Sequence, residues 1–269
     1  MKISIMHRGR TYDVDTSNSL DLAIPYDFVG PQPNFYDVSP GKSTPLKSNE
    51  ISYAVREGAG CNVSEIKINI HCTGTHTECV GHLLDQNSSV SECVQDILIP
   101  TVLMTVQPTS FSSCQESYHM DVQENEKIIS MRSLQKAYEK FQDYNPSSMI
   151  IRTLPNPEEK RYYRYSDKIP PFFTNDAISF LFSQSIQHLV VDIPSIDRME
   201  DNGILGNHRI FWGDGKNYDT NINPNSLNTI TELAYIPNEI DDGFYFLNIQ
   251  LPRFQCDAAP SRPLLMRVN

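Results

Sequence analysis

Apolar and polar side chains alternate between residues 62 and 72, with Ile66, Ile68 and Ile70 on one parity and Lys67, Asn69 and His71 on the other. A period of two predicts a strand with one buried face. The apolar run over 188–194 predicts a strand covered on both faces, and 97–106, 149–152 and 244–251 predict three more strands. Ile3 and Ile5, the turn His7-Arg8-Gly9, then Tyr12 and Val14 predict a hairpin over 2–14. A helical period occurs twice. Ser130 stands as a cap before Met131, Leu134, Ala137, Tyr138 and Phe141, and Thr174 before Ala177, Ile178, Leu181, Phe182 and Ile186. Residues 24–50, rich in Pro, Gly, Ser and aromatics, follow neither period and predict a long ordered arm. Many strands with few helices, and neither repeat nor linker, predict a single α/β domain over 1–269.

Charge and cysteine content narrow the partners and the compartment. The 33 acidic and 22 basic residues leave a formal charge of −11, which argues against nucleic acid or an anionic membrane as partner. Six cysteines, at 61, 72, 79, 93, 114 and 256, form no Cys-x-x-Cys and no regular spacing, so no disulfide framework is expected. The N-terminus has no apolar core of a leader, and no run of eighteen apolar residues exists. A cytoplasmic protein is the expectation.

Candidate chemistry concentrates in residues 71–82, His-Cys-Thr-Gly-Thr-His-Thr-Glu-Cys-Val-Gly-His. Three of the seven histidines, two cysteines and a carboxylate fall within twelve residues, a density of metal-ligand types that packing does not require. If the strand continues to residue 72, Cys72 shares the isoleucine face and is the better inward ligand, with His71 turned away; a bulge near Gly74 reverses the two. His76, Glu78 and His82 follow the turn. A thiolate among the ligands favours zinc over manganese or magnesium. The competing reading is a glycine turn with satisfied polar side chains and a small buried cysteine.

This segment resembles the His-x-Gly-Thr-His-x-Asp-x-Pro-x-x-x-His type signature of the cyclase family of metal-dependent hydrolases, which includes kynurenine formamidases and isatin hydrolases. Aligned on Gly74-Thr75-His76, the first metal histidine falls on Cys72, the second on His76, the bridging aspartate on Glu78 and the catalytic histidine on His82. Val191-Asp-Ile-Pro-Ser-Ile-Asp197 resembles the family's Asp-Thr-Pro-Ser-Val-Asp element. His208 and Glu232, the latter in Thr231-Glu-Leu233, match ligands of a second metal. Asp257-Ala-Ala-Pro-Ser-Arg262 resembles the closing tail and Asp21-Leu22 the opening strand. Cys72, Glu78 and Val80 depart from the pattern, and residues 207–231 read as an inserted loop.

The resemblance implies a swivelling β/β/α sandwich, with a mixed sheet forming a barrel-like core. It implies zinc, with manganese as the alternative, as one or two ions on Cys72, His76, Glu78, His208 and Glu232. The implied reaction is hydrolysis of an amide C–N bond by metal-activated water, with His82 as proton shuttle. The substrate would be an N-formyl arylamine, as in tryptophan catabolism, or a cyclic amide. Tyr26, Phe28, Phe35, Tyr36, Phe211 and Trp212 are candidates for an aryl pocket, and the partners implied are a small-molecule substrate and a second copy of the chain, in a homodimer or homotetramer. A lyase or dehydratase on the same site, and a metal-binding protein without turnover, are the alternatives.

Overall fold

The computed structural model describes residues 1–85 and 88–268. Among them, ten strands form one mixed sheet: β1 (Lys2–His7), β2 (Arg10–Asp21), β3 (His76–Glu78), β4 (Ile99–Val106), β5 (Ser148–Thr153), β6 (His188–Val191), β7 (Thr229–Glu232), β8 (Gly243–Gln250), β9 (Ala258–Pro260) and β10 (Arg262–Val268). Their spatial order is β1-β2-β10-β8-β4-β5-β6-β7-β3-β9. The central strands β4, β5, β6 and β7 run parallel, and the pairs on either side are antiparallel.

Side-chain parity divides the core between the two faces of this sheet. Ile99, Leu103, Ile150, Val190, Leu247 and Leu265 pack together on one face. Val102, Met104, Met149, Ile151, Leu189 and Val191 point to the other, where helices cover them. Four α-helices are present among the described residues: α1 (Val90–Cys93), α2 (Met131–Tyr138), α3 (Asn175–Ser183) and α4 (Gly206–Trp212). Both longer ones start where the sequence places their caps. Ser130 Oγ accepts from Ser133 N at 3.2 Å, and Thr174 Oγ1 from Ala177 N at 3.1 Å, satisfying a first-turn N–H that the helix itself cannot. Leu134 and Tyr138 of α2, and Ala177, Ile178 and Leu181 of α3, are buried against the sheet.

Two expectations need correction. The alternating stretch over 62–72 is a strand only at Ser64–Lys67, which pairs with Lys42–Pro45 away from the main sheet. Ile66 is 59% exposed; a two-stranded ribbon has no layer to bury one of its faces against. The main sheet does not close into a barrel among the described residues, because β1 and β9 are not paired. It curls instead: Ala23, after β2, bridges Ala234, after β7, and Ser261 alone separates β9 from β10, which lie far apart in the strand order. Within residues 207–231, α4 and β7 lie at the two ends, with turns between them. No helix is long and apolar enough to cross a membrane among the described residues.

Candidate metal centre

The centre is built on the short strand β3 and its neighbour β7. Their antiparallel register sets His76 opposite Glu232 and Thr77 opposite Thr231. Alternation then puts His76, Glu78 and Glu232 on one face, while the Thr77 and Thr231 hydroxyls meet at 2.7 Å on the other. His76 Nδ1 lies 3.1 Å from the Gly74 carbonyl. A carbonyl can only accept, so Nδ1 carries the proton and Nε2 presents a lone pair. That Nε2 is buried, has no hydrogen-bond partner, and lies 3.5 Å from Glu232 Oε2. Gly74 is required there because a Cβ would overlap the Tyr26 ring.

The segment after the carboxyl end of β6 brings Asp197 and His208, the usual position for a site in a parallel sheet, while His71 and His82 flank β3 and Asp257 precedes β9. His208, in the first turn of α4, sets Nε2 2.9 Å from Glu78 Oε1 and 3.7 Å from Glu232 Oε1. Its Nδ1 is held by Asp197 Oδ2 at 2.7 Å, which fixes the tautomer with Nε2 inward. Asp197 is itself pinned by Asn207 N at 2.9 Å and the Tyr118 hydroxyl at 3.0 Å. Glu232 Oε1 accepts from Ile196 N at 2.9 Å. Leu233, directly after it, is held at φ +53°, a conformation costly for a branched side chain and sustained only by the packing around it. His82, on the turn Val80–Leu83, sets Nδ1 3.2 Å from Asp257 Oδ2 and Nε2 3.9 Å from Glu78 Oε2. His71 reaches Glu78 Oε2 with Nδ1 at 3.1 Å and Asp257 Oδ2 with Nε2 at 3.3 Å.

The electrostatics follow from these contacts. Burial opposes charge on Glu78, but the His82 and His208 rings outweigh it and hold the carboxyl well below its ordinary range. Burial likewise opposes the charged form of His71; hydrogen bonds to Asp257 and Glu78 prevail and raise its pKa to about 10. His208 is raised for the same reason, with Glu78 and Asp197 outweighing burial. Protons thus hold the cluster together, and a divalent cation would have to displace those on ligating imidazoles.

Every candidate residue except Cys72 enters this constellation with a donor atom. His71, His76 and Glu78 form one group whose donors all lie within 4.8 Å of one another, and Glu78, His208 and Glu232 form a second. Cys72 Sγ joins no such group among the described residues. Its side chain lines the cavity wall and packs with Phe35, Tyr165 and Leu233, and burial, then the nearby Glu232 charge, push its thiol up to about 11. The preference for Cys72 over His71 rested on strand parity that ends at Lys67; beyond it, in a turn, both side chains reach the cavity. Sequence reasoning gave no role to Asp197 or Asp257, although both lie inside the matched elements. The signal was their place in those elements, since a buried imidazole needs an acceptor for its second nitrogen.

The cavity over the cluster measures about 490 Å³, with Phe35 and Tyr36 on one side and Met199 to Leu205 on another. Of the other candidate aromatics, Phe211 and Trp212 are buried in the core, and Tyr26 and Phe28 are absent from the lining.

With that geometry established, comparison with known proteins identifies the family. The sequence profile of the cyclase family, described as "Putative cyclase", matches residues 20–198, and the chain belongs to that family. A kynurenine formamidase of Bacillus thuringiensis subsp. konkukian is 27% identical over 196 residues, 73% of this chain and 78% of the relative. One from Bacillus cytotoxicus is 22% identical over 186 residues, 69% and 76% of the two chains. Among solved structures, isatin hydrolase A from Labrenzia aggregata has the same fold, with TM-score 0.59, 14% identity and 93% of each chain covered. A predicted metal-dependent hydrolase from Bacillus stearothermophilus gives TM-score 0.52 at 17% identity, covering 93% of this chain and 98% of that one.

Proposed function

We propose that the protein is a metal-dependent hydrolase of amide C–N bonds, acting on an N-formyl arylamine or a cyclic amide. The observation that carries this reading is the buried, unpartnered Nε2 of His76, aimed among carboxylates and imidazoles from four separate segments. An orphaned buried acceptor costs about 1–3 kcal/mol, and a cation removes that cost. Imidazole with carboxylate suits zinc, with manganese as the alternative. His71, His76 and Glu78 would hold one ion and Glu78, His208 and Glu232 a second, with Glu78 common to both; Cys72 stands beside them in the cavity wall. When bound, such an ion lowers the pKa of water toward 7 and polarises a carbonyl.

The chain's own groups supply the rest. His82 is the proton shuttle: Nε2 takes the proton of the attacking water and returns it to the leaving nitrogen. Asp257 accepts the Nδ1 proton, so it orients the ring and stabilises the imidazolium while the proton is in transit. Asp197 and the Gly74 carbonyl do the same orienting work for His208 and His76. Phe35 and Tyr36 offer an apolar wall for an aryl group.

The reading extends to a swivelling β/β/α arrangement of one domain, to the cytoplasm, where free thiols persist, and to a homodimer or homotetramer. Ile51, Val55, Val63 and Ile66, exposed in the segment that follows the N-terminal arm, are the surface such an assembly would cover. Protein purified without chelators should carry one to two equivalents of zinc or manganese and hydrolyse N-formylaniline or a cyclic imide. Less than a tenth of an equivalent, with no gain on adding either metal, would refute the metal reading.

A further inference from the structure

The cavity wall has a marked charge imbalance. Glu78, Glu200, Asp201 and Glu232 line it; its cationic groups are the imidazoles of His71 and His208, paired with Glu78 in the donor cluster, and among the described residues no lysine or arginine lines it. Arg198, which lines an adjoining cavity with Tyr36 and Glu200, is paired: Nε lies 2.7 Å from Glu126 and a terminal nitrogen donates to the Glu200 carbonyl at 3.1 Å. Glu78 and Glu232 belong to the donor cluster on the cavity floor. Asp201 spends its oxygens on the N–H groups of Gly203 and Leu205, at 2.8 and 2.6 Å. Glu200 is exposed, and its carboxylate makes none of the hydrogen bonds or ion pairs found among the described residues.

The same cavity lining that carries Glu200 carries an aromatic pair held in place. The Tyr36 hydroxyl donates to the Met199 carbonyl at 2.8 Å, tying the N-terminal arm to the loop that bears Glu200. The Phe35 and Tyr36 rings lie 4.0 Å apart between centroids. A carboxylate next to an electron-rich ring face is a receptor for a cation, and it repels an anion. With a cation on the floor and carboxylate on the rim, an elongated ligand has one favoured orientation: acyl oxygen inward, positive substituent outward.

We propose that the site selects aryl amides bearing an ammonium group over those bearing a carboxylate, with Glu200 and Tyr36 as the specificity-determining residues. This rests on the amide-hydrolase reading for the reaction and for the cation on the floor, and on the acidic lining of the cavity for the charge preference.

The test uses the zinc-loaded full chain and three formanilides, carrying a 4-aminomethyl, a 4-methyl or a 4-carboxylate group. Calorimetric binding is measured beside kcat/KM. The ammonium ligand should bind about tenfold or more tightly than the carboxylate ligand, and raising salt should narrow that ratio. Glu200→Gln should cut the ammonium-to-carboxylate ratio several-fold, and Glu200→Lys should invert it. Binding in the expected order without hydrolysis would sink the reaction and leave the preference standing. Equal or tighter binding of the carboxylate ligand, no binding by any of the three, or ratios that ignore Glu200 would overturn the preference.

Discussion

Strand pair β3–β7 and the turn from Asn69 to Gly74 each bring an imidazole to within 4.8 Å of a Glu78 oxygen, and they do so under different constraints. In the strand pair, ladder hydrogen bonds fix the parity. His76, Glu78 and Glu232 must share a face, and the threonines between them must take the other. In the turn no ladder acts, and consecutive residues His71 and Cys72 both reach the same cavity. Side-chain direction can therefore be derived where a regular backbone imposes it. In a turn it is settled by contacts from elsewhere, here Glu78 and Asp257.

That contrast can be broken experimentally. The largest effect is expected at the strand-held centre. Glu78→Ala removes the carboxylate shared by both donor groups, so metal content should collapse and turnover fall on the order of 10⁴-fold. Full occupancy by elemental analysis would show that β3 does not form the centre. Next comes His82→Ala, which should keep the metal and cost about 10³-fold in turnover. Asp257→Asn should cost less, roughly 10- to 100-fold. An unchanged rate for His82→Ala would assign the proton transfer to another group.

A stability measurement probes the regular region without touching the centre. His188 on β6 is buried, which lowers its pKa from 6.5 to about 4, and Thr229 Oγ1 lies 2.8 Å from its ring. The folded state resists the proton that the unfolded chain accepts. Stability is therefore intact above pH 6.5 and lost as pH falls from 6.5 to 4, by roughly 3 kcal/mol over that interval. Urea unfolding of the wild type and His188→Gln at pH 7 and pH 4.5 reads this directly; equal acid losses in the two would place the titration elsewhere. The smallest effect separates the two turn residues. His71→Ala should weaken metal binding about tenfold or more, whereas Cys72→Ala should leave it within about twofold. The reverse result would restore the thiolate as ligand and make parity a guide even in this turn.

Much of the architecture was legible from pattern. The caps at Ser130 and Thr174, the apolar strand β4 and the buried run on β6 needed no tertiary information, because local hydrogen bonding and two-sided burial leave patterns in the chain. Other features were not. The isoleucines at 66, 68 and 70 mark a period with no core behind it, since only a covering layer turns alternation into burial. The curl of the sheet depends on residues such as Ala23 and Ala234, which meet across more than two hundred positions.

For the site, the sequence alone determined the donor chemistry and its order along the chain: imidazoles and carboxylates dense at 71–82, then His208 and Glu232. Which of those donors converge, and which acids orient them, was decided only in three dimensions. Asp197 behind His208 and Asp257 behind His82 are matched through space, and no local rule links residues 82 and 257. The reason is physical. A side chain's identity is carried by the chain, whereas the environment that fixes its proton, its rotamer and its partner is assembled from segments that meet only on folding.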